Sequence, residues 1–390
     1  MARLIQSPTD PDFVQNPYPF YARARAEGPL HEWQDYGMMA AFTHDAVQAL
    51  LKDRRFGREV PVEMAPEIPD HLTPFYDIEA HSMLELEPPR HTRLRRLVLQ
   101  AFTSRRIKAL APEITQLTHE LIDRFPSGEH DLLDTFCRPI PVIIIARLLG
   151  VPEAMAPDLL RWSNAMVMMY QAGRTRADED ASVKATEEFV AFLRGYVSEK
   201  RKTPADDLIS ALIAAEDGGE TLSSDELITT CILLLNAGHE ATVHSLGNAI
   251  RLCLRDGHRP PADPSAFVEE TLRYDPPLHM FTRHAYEDVT LDGHTFRRGD
   301  QVGLLLAAAN RDPAAYQDPA AFQPGRDGPA NLAFGAGLHF CVGAPLARLE
   351  LGIALPALFD RCPDMHATAP ANYADIYHFH GLESLPVTTG

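Results

Sequence analysis

The sequence predicts a mainly α-helical protein with small β-sheets, on three observations. An apolar pattern of helical period covers residues 223–254, far too long for a strand. Strand-like pieces are few and short: Met39-Ala40-Ala41-Phe42, residues 289–291 and residues 301–306. The chain also holds 32 prolines against 23 glycines, which suits helices joined by long, ordered, irregular connections.

Residues 1–90 mix short helical and strand-like pieces, with a turn at Tyr36-Gly37 before the first strand. From Pro89 the pattern turns helical. Residues 93–106 are strongly basic, and residues 112–125 carry apolar side chains at helical spacing. Ser223-x-x-Glu226 is a capping box that opens the long helix. About thirty helical residues span roughly 45 Å, the diameter of a domain. That helix is apolar nearly all round at residues 232–235, which predicts a path through the middle of the molecule. A second helix at 264–274 ends at Asp275-Pro276-Pro277, and a Gly- and Pro-rich stretch then leads to a last helix from Ala344. No internal repeat or low-complexity linker interrupts the chain, so residues 1–390 are read as a single domain.

Composition excludes several classes of function. A formal net charge of −18 argues against nucleic acid and against anionic membrane surfaces as partners. The start, MARLIQSPTD, has no apolar run resembling a signal peptide, and no stretch reaches about 18 uninterrupted apolar residues. The longest apolar block, 139–149, is short and broken by Arg147. Five scattered cysteines (137, 231, 253, 341 and 362) form no C-x-x-C pair, so neither a disulfide framework nor a zinc knuckle is indicated, and a reducing cytoplasm is expected. A cysteine doing chemistry here works alone or with a cofactor.

The strongest segment is Phe334-Gly335-Ala336-Gly337-Leu338-His339-Phe340-Cys341-Val342-Gly343-Ala344. Glycines at 335, 337 and 343 strip side chains from the backbone around the sulfur, which admits a flat macrocycle. The helix beginning just beyond adds its positive end near the thiolate. By contrast, His239-Glu240-Ala241-Thr242-Val243-His244 only imitates the zinc motif H-E-x-x-H. Its histidines are five apart, about 140° round a helix, and cannot share a metal.

The cysteine segment is similar to the haem-binding signature of the cytochrome P-450 family, F-x-x-G-x-[RH]-x-C-x-G, at every fixed position. The resemblance implies a single-domain fold with haem b between a long central helix and the cysteine loop. Cys341 is then the iron ligand, whose thiolate favours O–O cleavage, in a loop shaped by Phe334, Gly335 and Gly343. It implies propionate partners at His339, at His91 and Arg95, four apart in Pro88-Pro89-Arg90-His91-Thr92-Arg93-Leu94-Arg95, and at Arg283. Glu270 and Arg273, with Arg326 from Phe322-Gln323-Pro324-Gly325-Arg326, resemble the family's buried E-x-x-R/R triad, which fixes the approach to the cysteine. The blocks Ala309-Asn310-Arg311-Asp312-Pro313 and Gly381-Leu382-Glu383-Ser384-Leu385-Pro386-Val387 fit as well. The likeness extends from about residue 80 to the end and more weakly before.

One position departs from the family. Ala237-Gly238-His239-Glu240-Ala241-Thr242 stands against [AG]-G-x-[DE]-T-[TS], in which an acid and an alcohol relay protons to bound oxygen. Glu240 supplies the acid. Ala241 replaces the alcohol, and Thr242 is turned about 100° from that place. Gly238 costs about 1 kcal/mol of helix propensity against Ala, and close approach of O2 or substrate is the expected compensation. Substrate-assisted proton delivery, poorly coupled turnover and peroxide-driven chemistry all remain open at this stage.

By position, the family's substrate pocket falls on Phe75, Tyr76, Ile78, Met166, Met169, Leu234, Ala237, Leu278 and Phe281, with His239 and His279 as polar contacts. Each also suits an ordinary core. The expected reaction is hydroxylation or epoxidation of a hydrophobic small molecule (terpenoid, polyketide-like or fatty) with O2. With no flavin or iron–sulfur motif in the chain, electrons are expected from an external ferredoxin at a basic face of Arg93, Arg95, Arg96, Arg105, Arg106 and Lys108. The readings set against this are a peroxide-driven or substrate-assisted haem-thiolate oxidase and a non-catalytic haem sensor.

Overall fold

The longest element of the computed structural model, which describes residues 3–171, 173–376 and 379–389, is the helix Ser224–Asp256. Its start is the predicted capping box: Glu226 N donates to Ser223 Oγ at 3.2 Å, and Ser223 N donates to the Glu226 carboxylate at 2.8 Å. No described helix is long and apolar enough to cross a membrane. The described residues fall into two compact units, one of Met1–Ala65, Leu117–Cys137 and Ala241–Gly390, the other of Pro66–Gln116 and Arg138–Glu240.

The first unit holds a six-stranded sheet in the order Arg3–Leu4, Leu30–Trp33, Met38–Ala41, Gln301–Leu305, Met280–Ala285, Phe56–Gly57. Val302 pairs with Met39 in parallel and with Arg283 in antiparallel, which fixes the register of the strand carrying Arg283. Both faces of this strand group are covered. Val302 and Leu304 join Leu50, Phe56 and Phe296 in one cluster, while Met280 and Leu305 join Phe13, Tyr21, Trp33 and Phe42 in another. The helices Ser265–Tyr274 and Ala344–Arg361 complete the part of this unit that frames the cysteine loop.

The second unit is almost wholly helical. The 27-residue helix Arg176–Lys202 packs on Ala156–Val167, with Trp162 stacked on Phe189 at 5.0 Å. The basic stretch lies on two helices, Arg90–Ala101 and Ser104–Ala109. The break comes from Thr103, whose extended backbone lets its hydroxyl accept from Arg106 N.

Candidate functional site

The loop before the last helix is shaped by short backbone bonds and two left-handed glycines. Gly335 N donates to Leu332 O at 2.9 Å and Cys341 N to Phe334 O at 3.1 Å. Gly335 (φ +69°) lies under Phe281, and a β-carbon on Gly337 (φ +72°) would stand 2.6 Å from Leu51 O. Asn310, fully buried, accepts Leu332 N at 2.7 Å and anchors the loop's entry. His339 ends a short 3-10 turn, and the helix Ala344–Arg361 starts with Gly343 as its cap.

The five cysteines differ in access. Cys137, Cys231, Cys253 and Cys362 are buried, and burial pushes the Cys231 and Cys253 thiols up to about 12. Cys341 alone is partly exposed, and even a β-carbon at Gly343 would sit only 3.7 Å from its sulfur. An accessible sulfur on a glycine-lined loop suits Cys341 to hold a haem iron through its thiolate. In the same unit Arg283 is 2% exposed on its strand, one terminal nitrogen donating to Thr282 O at 2.8 Å.

The predicted triad comes together on the helix Ser265–Tyr274. Both Glu270 oxygens accept from Arg273, at 2.7 and 2.8 Å, and from Arg326 Nε, at 3.0 and 3.1 Å. Glu270 also accepts Gln323 N, while Arg273 donates to the carbonyls of Asn310, Pro319 and Ala321. The cluster thus ties the helix to the segment leading toward Cys341. The neighbouring residue does a similar job that sequence reasoning missed. Glu269 binds Arg348 and Asn331, and the Arg348 guanidinium lies over the Phe334 ring at 4.6 Å. Its sequence signal is only the second acid of Glu269-Glu270.

On the long helix, Leu233, Leu234, Ala237, Glu240 and Ala241 retain exposure while Ile232, Leu235, His239 and Thr242 are buried. Steps of three and four place the accessible residues on one face. Thr242, one residue further on, is 3% exposed. Burial pushes the Glu240 carboxyl up to about 7, against the opposing pull of Arg138. Burial, then Arg138, pushes the His239 imidazole down to about 4, and neither ring nitrogen has a hydrogen-bond partner among the described residues. A β-carbon at Gly238 would lie 2.8 Å from Ile145 Cδ1, the free end of a flexible side chain.

In the second unit, His91 (1% exposed) and the partly exposed Arg95 share the helix Arg90–Ala101. Phe75, Ile78, Met166 and Met169 are buried, Tyr76 is half-buried, and Asn236 Nδ2 lies 3.8 Å from Met166 Sδ. The expected basic face is depleted by acids. Arg93 pairs with Glu226, Arg96 with Asp217 at 2.9 Å and Arg106 with Asp206 at 3.0 Å. Arg105 and Lys108 keep their charge without such a partner among the described residues.

His279 is fully buried with Nδ1 3.1 Å from the Tyr21 hydroxyl and its ring 4.3 Å from that of His380, so it belongs to the packed interior of the first unit. Leu278 bridges Phe379, and Phe281 covers Gly335. Sequence reasoning also missed Glu350. It is 1% exposed on the helix after Cys341, with Oε1 lacking a hydrogen-bond partner among the described residues, and burial pushes it up to about 8. The four-residue stripe Leu346, Glu350, Ala354, Leu358 is the pattern that foretells this burial.

The family model for Cytochrome P450 matches residues 32–258 and 265–363. The cytochrome P450 monooxygenase PikC of Streptomyces venezuelae is 37% identical, over 96% of this chain and 92% of that one. The 6-deoxyerythronolide B hydroxylase of Saccharopolyspora erythraea is 37% identical, over 95% of each chain. The polyketide biosynthesis cytochrome P450 PksS of Bacillus subtilis is 36% identical over the whole chain and 99% of its own. The PksS structure superposes with a TM-score of 0.88, covering 99% of this chain and 100% of that one.

Proposed function

Because the chain belongs to the cytochrome P450 family and is a haem-dependent monooxygenase, we propose that it oxygenates a large, apolar, polyketide-like molecule, with proton delivery completed by a substrate hydroxyl or an ordered water. The observation that carries this is the accessible face of the long helix. Glu240 is present there with its carboxyl at about 7, while the alcohol expected beside it is Ala241 and the nearest hydroxyl, on Thr242, is buried. A carboxylic acid poised near neutral pH donates and regains a proton readily. What remains lacking is a hydroxyl between the acid and the oxygen, and substrate or water supplies it.

We assign Cys341 as the iron ligand, and Arg283, His339, His91 and Arg95, by their sequence positions, as propionate partners. The haem b cofactor, once bound, supplies oxygen activation, which thiolate donation promotes. The substrate class is supported by the names of PksS and the 6-deoxyerythronolide B hydroxylase, and by the aromatic and methionine side chains at the family's pocket positions. The absent alcohol also favours a second reading, turnover driven by peroxide.

Two measurements test the reading. The reduced, CO-bound protein is expected to absorb at about 450 nm, and Cys341→Ser to lose that band. Candidate macrolactones that shift the haem spectrum are then turned over with and without their free hydroxyls. Substrate assistance predicts efficient coupling of electrons to product only with the hydroxyl present, and Ala241→Thr restoring coupling to the substrate without it. Equal coupling for both substrates overturns it, and product from peroxide alone at a comparable rate favours the second reading.

We propose a ferredoxin as electron donor, docking at Arg105 and Lys108, and a cytoplasmic location in keeping with five cysteines in no disulfide. Reversing Arg105 and Lys108 to Glu is expected to slow reduction and flatten its salt dependence, whereas Arg106→Glu acts more weakly because Asp206 already offsets that charge.

A further inference from the structure

The first unit contains a polar cavity of about 280 Å³ that neither the haem-ligand loop nor the triad uses. It is lined by Asn248, Arg251 and Arg255 of the long helix and by Tyr274, Asp275 and Arg311. Its charges do not balance. Asp275 is the sole carboxylate in the lining, and its two oxygens already accept the Tyr18 and Tyr373 hydroxyls. Burial raises both tyrosines well above their usual range, so they stay neutral donors. Arg255 is held by both oxygens of Asp256, at 2.7 and 2.6 Å.

Arg251 and Arg311 have no carboxylate within ion-pair distance among the described residues. Each is oriented by neutral groups. Arg251 donates to Ala371 O and to the Tyr373 hydroxyl and lies over the Tyr373 ring. Arg311 donates twice to Tyr274 O, sandwiched between the Tyr18 ring at 3.4 Å and the Tyr274 ring at 3.9 Å. These bonds leave Arg251 Nη2 and Arg311 Nη1 without an acceptor among the described residues. His380, stacked on Tyr373 at 3.7 Å, reports the local field: burial, then Arg251 and Arg311, push its imidazole down to about 3. The neighbouring Asp275, His279 and His380 have ligand atoms within 4.8 Å of one another, the spacing of a cation site. A divalent ion is nevertheless disfavoured by the two unbalanced guanidinium groups.

We propose that this cavity is a binding site for a small oxyanion, a phosphate or a short carboxylate, gripped by Arg251 and Arg311. Guanidinium groups held by stacking and carbonyl bonds are pre-organised for such a ligand and lose little entropy on meeting it. The volume lies just below the roughly 300 Å³ at which pockets for drug-sized ligands begin, so the occupant is small. Bound there, the anion joins the long helix to the segment around Tyr373 and to the start of the chain, where Gln15 exchanges two hydrogen bonds with the Tyr373 backbone.

The test is thermal unfolding of the haem-loaded protein in sodium phosphate, sodium acetate and sodium chloride at matched ionic strength. Phosphate, acetate or both are expected to raise Tm saturably by about 1–3 °C over chloride, and which of them acts assigns the ligand class. Arg251→Gln is expected to abolish the saturable rise, whereas Arg297→Gln, at a surface pair with Asp288, keeps it. Should Arg251→Gln fail to fold, Arg251→Lys keeps the charge without the fork and is expected to weaken binding several-fold. A rise that never saturates, or one equal in wild type and the Arg251 variant, overturns the proposal.

Discussion

Ile145 Cδ1 lies 2.8 Å from where a β-carbon on Gly238 would stand. That methyl is the free end of a flexible side chain and can swing aside, so Gly238→Ala is expected to keep part of the roughly 1 kcal/mol it gains in helix propensity. Ile145→Val shortens that end, so the double variant should gain nearly the full amount. Urea midpoints of the four proteins decide it, and an equal effect of Gly238→Ala on the wild-type and Ile145→Val backgrounds would refute the contact.

Glu270 is the shared acceptor of two buried arginines. Glu270→Ala strands Arg273, itself 2% exposed, with three carbonyls and no counter-charge. Breaking a buried pair in this way costs about 3–5 kcal/mol. Chemical denaturation is expected to show that loss together with weaker haem retention; a loss under about 1 kcal/mol would contradict a structural role.

For Glu240 the sign of the pH effect follows from its raised carboxyl. The acid form, which donates, dominates below about 7 and is lost above it. Turnover limited by this proton should therefore fall as pH rises through 7. Glu240→Gln is expected to flatten that profile and lower turnover about 100-fold, with substrate binding little changed. A Gln variant that keeps the wild-type profile would remove Glu240 from the relay.

Glu350 makes a stability prediction of the same sign. Its folded value of about 8 exceeds the unfolded 4.5, so the folded protein holds this proton to higher pH. The contribution is complete below 4.5 and declines up to about 8, by at most about 1.4 kcal/mol per pH unit. Glu350→Gln keeps the shape without the proton equilibrium. Its stability advantage over wild type should thus be small at pH 5 and largest above pH 8; equal pH slopes for the two proteins would dismiss the effect.

The long helix, its capping box, the short strands and the last helix were readable because each rests on periodicity or on local hydrogen bonding. The cysteine loop was readable because its glycines and the sulfur lie within ten residues of one another. Glu270 and Arg273 could be paired from one helix turn, and Arg326 was reached through a resemblance. What the sequence hid were contacts across long separations: Ile145 against Gly238, Arg348 on Phe334, Tyr21 on His279. The acids Glu226, Asp217 and Asp206 that answer Arg93, Arg96 and Arg106 were equally invisible, because surface charge cannot be summed along a chain when its partners come from elsewhere in the fold.

A side chain at position 337 would strike the backbone oxygen of Leu51 and would also have to adopt a left-handed conformation. Even alanine there displaces the loop that carries the cysteine, so haem is expected to leave Gly337→Ala faster than wild type.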